Sequence, residues 1–71
     1  MNRLLAYLIL EAVGNSGSYN PSDTLYSVED MMTLEEYNTA EGFLAWCHAN
    51  HKEFGTANIH DVFKQYERRN E

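Results

Sequence analysis

"TLEEYNTAEGFLAWCHANHK", residues 33–52, is the stretch that decides the fold. Thr33 followed three residues later by Glu36 has the spacing of a capping box, in which each residue's side chain satisfies the other's free backbone amide. Glu35 and Glu36 also suit the positive end of a helix dipole. From there Tyr37, Ala40, Leu44, Cys47 and His51 recur at helical spacing and, widened by Phe43, predict a buried stripe. Gly42, Ala45 and Ala49 fall at i, i+3 and i+7 and make a second face of small side chains. Glycine inside a helix costs about 1 kcal/mol relative to alanine, so a close neighbour is expected there, either the first helix or a second copy of the chain. A helix near 34–51 with two non-polar faces is the predicted centre of the domain.

Upstream, "LLAYLIL", residues 4–10, is an unbroken apolar run. A run this short cannot be assigned by periodicity alone, but its leucines and Ala6 favour helix, Ile9 is its only β-branched residue, Asn2 can cap its start and Gly14 can take the left-handed position after its end. A helix near 2–13 is predicted. Its apolar side chains cover nearly the whole circumference, with Glu11 almost the only polar position after Arg3, so it is expected to be buried on every side. A chain of 71 residues can hardly supply all that cover alone, so Leu5, Leu8 and Ile9, together with Gly42, Ala45 and Ala49, are predicted to support self-association, most simply as a homodimer.

Between these helices "GNSGSYNPSDT" reads as a surface loop of turn formers, with Asn20 held extended by Pro21. Residues 23–32 admit two readings. "TLYSV" suits a short edge strand, whereas Leu25, Val28 and Met32 at i, i+3 and i+7 suit a short helix. At the other end Gly55 breaks the chain. Asn58 then caps a helix near 59–69 in which Ile59, Val62, Phe63 and Tyr66 form one narrow apolar face, and Lys64, Arg68 and Arg69 gather toward the negative end of the dipole. The predicted architecture is a single all-α domain, residues 1–71, of three to four helices.

Charge narrows the function. Net charge is −6, and between Glu11 and His51 there are acids and no Lys or Arg. Such a surface repels phosphate backbones and anionic lipid heads and suits a basic protein partner. The terminal helix with its Lys and Arg superficially suits a helix-turn-helix, but the expected connection of 3 to 4 residues is exceeded and no basic face is available for phosphate contacts, so direct nucleic-acid binding is not expected. The opening segment falls short of the roughly 20 apolar residues a membrane span needs. It also makes a poor signal peptide, with a minimal apolar region and Glu11 just before the small-residue "AVG".

Candidate chemistry is sparse. Cys47, the only cysteine, excludes an internal disulfide and suits a reducing, cytoplasmic setting. Cys47, His48 and His51 lie within about a turn, with His60 on the next helix. The set lacks a second cysteine or an HExxH pattern, and a Cys/His pair on one helix offers no oxyanion hole. "GNSGS" lacks the lysine and the preceding strand of a phosphate loop. Neither an enzyme, a metal site nor a cofactor is expected. The predicted function is a small acidic interaction module, an inhibitor or adaptor, that presents Tyr19, Tyr26 and Trp46 as aromatic anchors. The alternative is an anionic nucleic-acid mimic whose carboxylates Asp23, Glu29, Asp30, Glu35, Glu36 and Glu41 block a basic cleft. By analogy of type, phage and mobile-element inhibitors are often of this kind.

Overall fold

The capping box forms as its spacing predicts. Glu36 donates its backbone N–H to the Thr33 hydroxyl at 3.1 Å, and its carboxylate accepts the Thr33 N–H at 3.0 Å. The helix started in this way runs Leu34–Ala49 in a computed structural model that describes residues 3–69. In chain order the elements are α1, Arg3–Ser16; α2, Pro21–Leu25; a 3-10 helix, Tyr26–Met31; α3, Leu34–Ala49; and α4, Ile59–Arg68. The fold is all-α, with no strand among the described residues. Among the described residues no helix is long and apolar enough to cross a membrane. The proposed Asn2 cap lies outside the described residues.

Two elements resolve the ambiguity of residues 23–32 in favour of helix. The Asn20 side chain accepts the Ser22 N–H at 3.1 Å, and Pro21 stands at the first helical position, where its missing N–H would be unpaired in any case. After one turn the chain tightens into the 3-10 helix, which at six residues is longer than most. Leu25 and Val28 are buried and Met32 packs on the core, so the helical spacing of these three reports their burial correctly. α2 packs against both α1 and α3, the 3-10 helix against α1, and α4 against α3. Thr24, fully buried, donates its hydroxyl to the Ser18 carbonyl and so pins the preceding loop to this wedge.

Within one chain α1 is covered on one side only. Leu5, Ala6, Leu8, Ile9 and Ala12 are buried, while Leu4 and Tyr7 are 58% and 65% exposed and Glu11 is exposed as well. An inward stripe and an outward i, i+3, i+7 face of Leu4, Tyr7 and Glu11 are therefore concealed within one apolar run. The chain's own α2, 3-10 helix and α3 cover the inward stripe. Leu5, Leu8 and Ile9 thus belong to the interior of a single chain, while Leu4 and Tyr7 of the same helix stay largely uncovered by it. α1 also outruns Gly14. The left-handed residue is Gly17, at φ +66°, whose N–H reaches the Val13 carbonyl at 2.7 Å.

The small face of α3 is also reassigned. An added Cβ at Gly42 would meet the Tyr66 hydroxyl at 2.7 Å, so the close neighbour at Gly42 within the chain is α4 rather than α1. Ala45 and Ala49 are exposed. α3 ends two residues earlier than expected. The His51 N–H bonds the His48 carbonyl at 3.3 Å and the Lys52 N–H bonds the Cys47 carbonyl at 2.8 Å, a Schellman closure in which His51, at φ +53°, takes the left-handed position. His51 therefore leaves the stripe and is exposed.

α4 buries Ile59, Val62 and Phe63, as its spacing predicts, with Tyr66 partly buried. Its start differs in chemistry from the expected cap. The Asn58 side chain turns back to accept the Gly55 N–H at 2.7 Å, and the Gly55 carbonyl takes the N–H groups of Asn58 and Ile59 at 3.2 and 3.0 Å. Phe43 is the hub of the core, with ring centroids 5.0 Å from Phe63, 5.4 Å from Phe54, 5.6 Å from Tyr66 and 6.5 Å from Trp46.

Candidate functional site: an acidic surface with apolar residues

The segment from α2 to the first turn of α3 divides its side chains between two destinations. Leu25 and Val28 go inward, whereas Tyr26, Met31 and Leu34 are 74%, 61% and 77% exposed. Three large apolar side chains thus stand in water within one short stretch of sequence. Asp23, Glu29, Asp30 and Glu35 are exposed among them. Glu29, Asp30, Met32, Thr33, Leu34 and Tyr37 line an open depression of about 320 Å³ between the 3-10 helix and α3. Its walls combine a thioether, an aliphatic side chain and a phenol ring with two carboxylates.

The other predicted acids are placed differently. Glu36 is committed to the Thr33 amide, and Glu41 is partly buried. Of the aromatic anchors, only Tyr26 stands fully in solvent. Tyr19 accepts the Phe54 N–H at 3.2 Å and meets that ring edge-on at 5.3 Å, so it fastens the loop before α2 to the segment before α4. Trp46 is partly buried, with its ring 5.5 Å from Tyr66, over which the Arg69 guanidinium also lies at 3.8 Å. Both side chains are occupied within the chain.

The sequence does not single out Met31 and Leu34 as partner-facing. Leu34 carries a partial signal, because at 100° per residue it lies about 120° around the helix from Ala40, away from the buried stripe. Met31 has none, since its direction depends on where the 3-10 helix docks.

Cys47, His48 and His51, the residues weighed as metal ligands or a reactive pair, come together with Tyr19, Lys52 and Glu53 around a cavity of about 230 Å³. Cys47 is fully buried, and burial pushes its thiol from an ordinary value of 9.0 up to about 11, partly offset by the nearby Lys52 ammonium. That direction opposes the thiolate that nucleophilic or metal chemistry requires. Among the described residues no group of three or more His, Cys, Asp or Glu side chains is placed to hold a metal ion. No family model, curated protein or solved structure matches the chain, and the functional reading rests on this surface.

Proposed function

We propose that the chain is a non-catalytic interaction module, an inhibitor or adaptor, that binds another protein with a basic surface through the segment Tyr26–Tyr37. The observation that carries the reading is the exposure of Tyr26, Met31 and Leu34 amid Asp23, Glu29, Asp30 and Glu35. Exposed apolar clusters rimmed by polar groups characterise protein interfaces, and carboxylates steer cationic partners toward them. The buried free thiol of Cys47 suits a cytoplasmic setting. Homodimerisation is not part of the proposal, because Leu5, Leu8 and Ile9 are satisfied within one chain.

Affinity capture from the source cells, with the native chain and with a Met31→Ser/Leu34→Ala variant at low and high salt, tests it. A partner held by the native chain at both salt levels and lost by the variant is the expected result. Equal retention by both chains would overturn the reading. The second reading, a nucleic-acid mimic, is favoured by the exposed carboxylates and the absence of Lys and Arg between Glu11 and His51. It predicts capture that is indifferent to Leu34 and collapses at high salt, because charge attraction is screened.

A further inference from the structure

We infer that the outward face of α1 pairs antiparallel with the same face of a second copy of this chain, about a two-fold axis at Tyr7, with Arg3 of each copy against Glu11 of the other. This surface goes beyond the interaction-module reading and uses none of the residues Tyr26–Tyr37. It also leaves Leu5, Leu8 and Ile9 inside their own chain. At one turn per 3.6 residues Arg3, Leu4, Tyr7 and Glu11 fall within about 100° of the helix circumference. All four are exposed, Leu4 at 58% and Tyr7 at 65%.

The charge pattern of the face selects its occupant. Arg3 is the only Lys or Arg before Lys52, and it stands at one end of the face with Glu11 at the other, about 12 Å away along the axis. Antiparallel pairing centred on Tyr7 sets position 3 opposite position 11 at both ends, so each end gains one pair of opposite charges. A parallel pair would set Arg3 against Arg3 and Glu11 against Glu11. Arg3 also lies in the first turn of α1, where the helix dipole disfavours a cation, and the carboxylate of a second copy offsets that. Tyr7 between the charges supplies the kind of side chain that anchors interfaces. Anchor and both charges thus share one self-complementary patch, as an isologous two-fold contact requires. One face of one short helix buries less than the roughly 1,200 Å² at which standard interfaces begin, so the pair forms only at high micromolar concentration and the chain is single well below it.

The test is sedimentation equilibrium with amide NMR on the full chain at low salt, from micromolar to millimolar concentration. The native chain is expected to pass from one copy to two, with shifts centred on residues 3–11. Arg3→Glu and Glu11→Arg should each weaken pairing by about tenfold, because two attractions become two repulsions. An equimolar mixture of these two variants should pair about as well as the native chain, since every contact between unlike copies is again attractive. Tyr7→Ser should weaken pairing by about tenfold. All three positions are exposed, so the variants keep the fold, with circular dichroism as the check. A native chain still single at millimolar concentration overturns the inference, as does pairing unchanged in Arg3→Glu and Glu11→Arg or a mixture that does not pair. Shifts centred on residues 29–37, abolished by Glu29→Lys/Asp30→Lys and indifferent to Glu11→Arg, would overturn it in favour of Arg3 docking on the acidic depression of a second copy.

Discussion

His51 holds a left-handed backbone, φ +53°, while its own N–H and that of Lys52 close α3. A residue with a Cβ occupies that region at a cost of about 1 kcal/mol or more, and glycine occupies it freely. His51→Gly is therefore expected to raise stability by about 0.5–1 kcal/mol in urea denaturation, net of the extra freedom glycine gives the unfolded chain. The Cys47 thiol gives a second residue-scale prediction. Its folded value, raised to about 11, lies above the 9.0 it has when solvated. Below pH 9 both states hold the proton and stability is unaffected. Between about pH 9 and 11 the unfolded chain sheds it first, so stability falls as pH rises, by on the order of 2 kcal/mol. Cys47→Ala should flatten that limb of the pH profile relative to the native chain. Native Cys47 should also resist a thiol reagent at pH 8 until denaturant is added, because it is fully buried.

At the scale of elements, α3 depends on its first turn. Thr33→Ala removes the acceptor for the Glu36 N–H and should cost about 1 kcal/mol. Gly42 and Tyr66 form a coupled pair across the α3–α4 contact. Gly42→Ala alone drives a Cβ to 2.7 Å from the Tyr66 hydroxyl, whereas the ring carbon behind that oxygen lies 3.8 Å away. The helix-propensity gain of up to about 1 kcal/mol should thus appear in a Tyr66→Phe background and be cancelled or reversed with Tyr66 present; additive effects in the double-mutant cycle would refute the contact. These elements were largely legible because their signals are local. The Thr33/Glu36 spacing and the Ile59, Val62, Phe63, Tyr66 face act within a turn or two of themselves. What escaped was decided by neighbours. Nothing near His51 announces a glycine-free helix end. Leu4 and Tyr7 read as core until the packing of α1 turns them outward, and the exposed Met31 and Leu34 differ from the buried Val28 only in which element lies opposite.

For the whole molecule, the decisive fact is that one chain covers the inward stripe of its own first helix. Ile9 is fully buried among residues of α1, α2, the 3-10 helix, α3 and α4. Ile9→Ala should cost about 2–5 kcal/mol, comparable to the roughly 3–5 kcal/mol that a core of this size supplies. The expected result is loss of helical circular dichroism with a midpoint independent of protein concentration; a midpoint that rises with concentration would restore a partner chain to the core. The interior and the candidate surface also draw on different side chains of the same short segment. Leu25 and Val28 hold the 3-10 helix in place, while Tyr26, Met31 and Leu34 take little part in the core. Selection can therefore rewrite the outward set with little penalty in folding. Such a scaffold can be retargeted, following a changing partner or acquiring a new one by a few substitutions while its interior stays as it is.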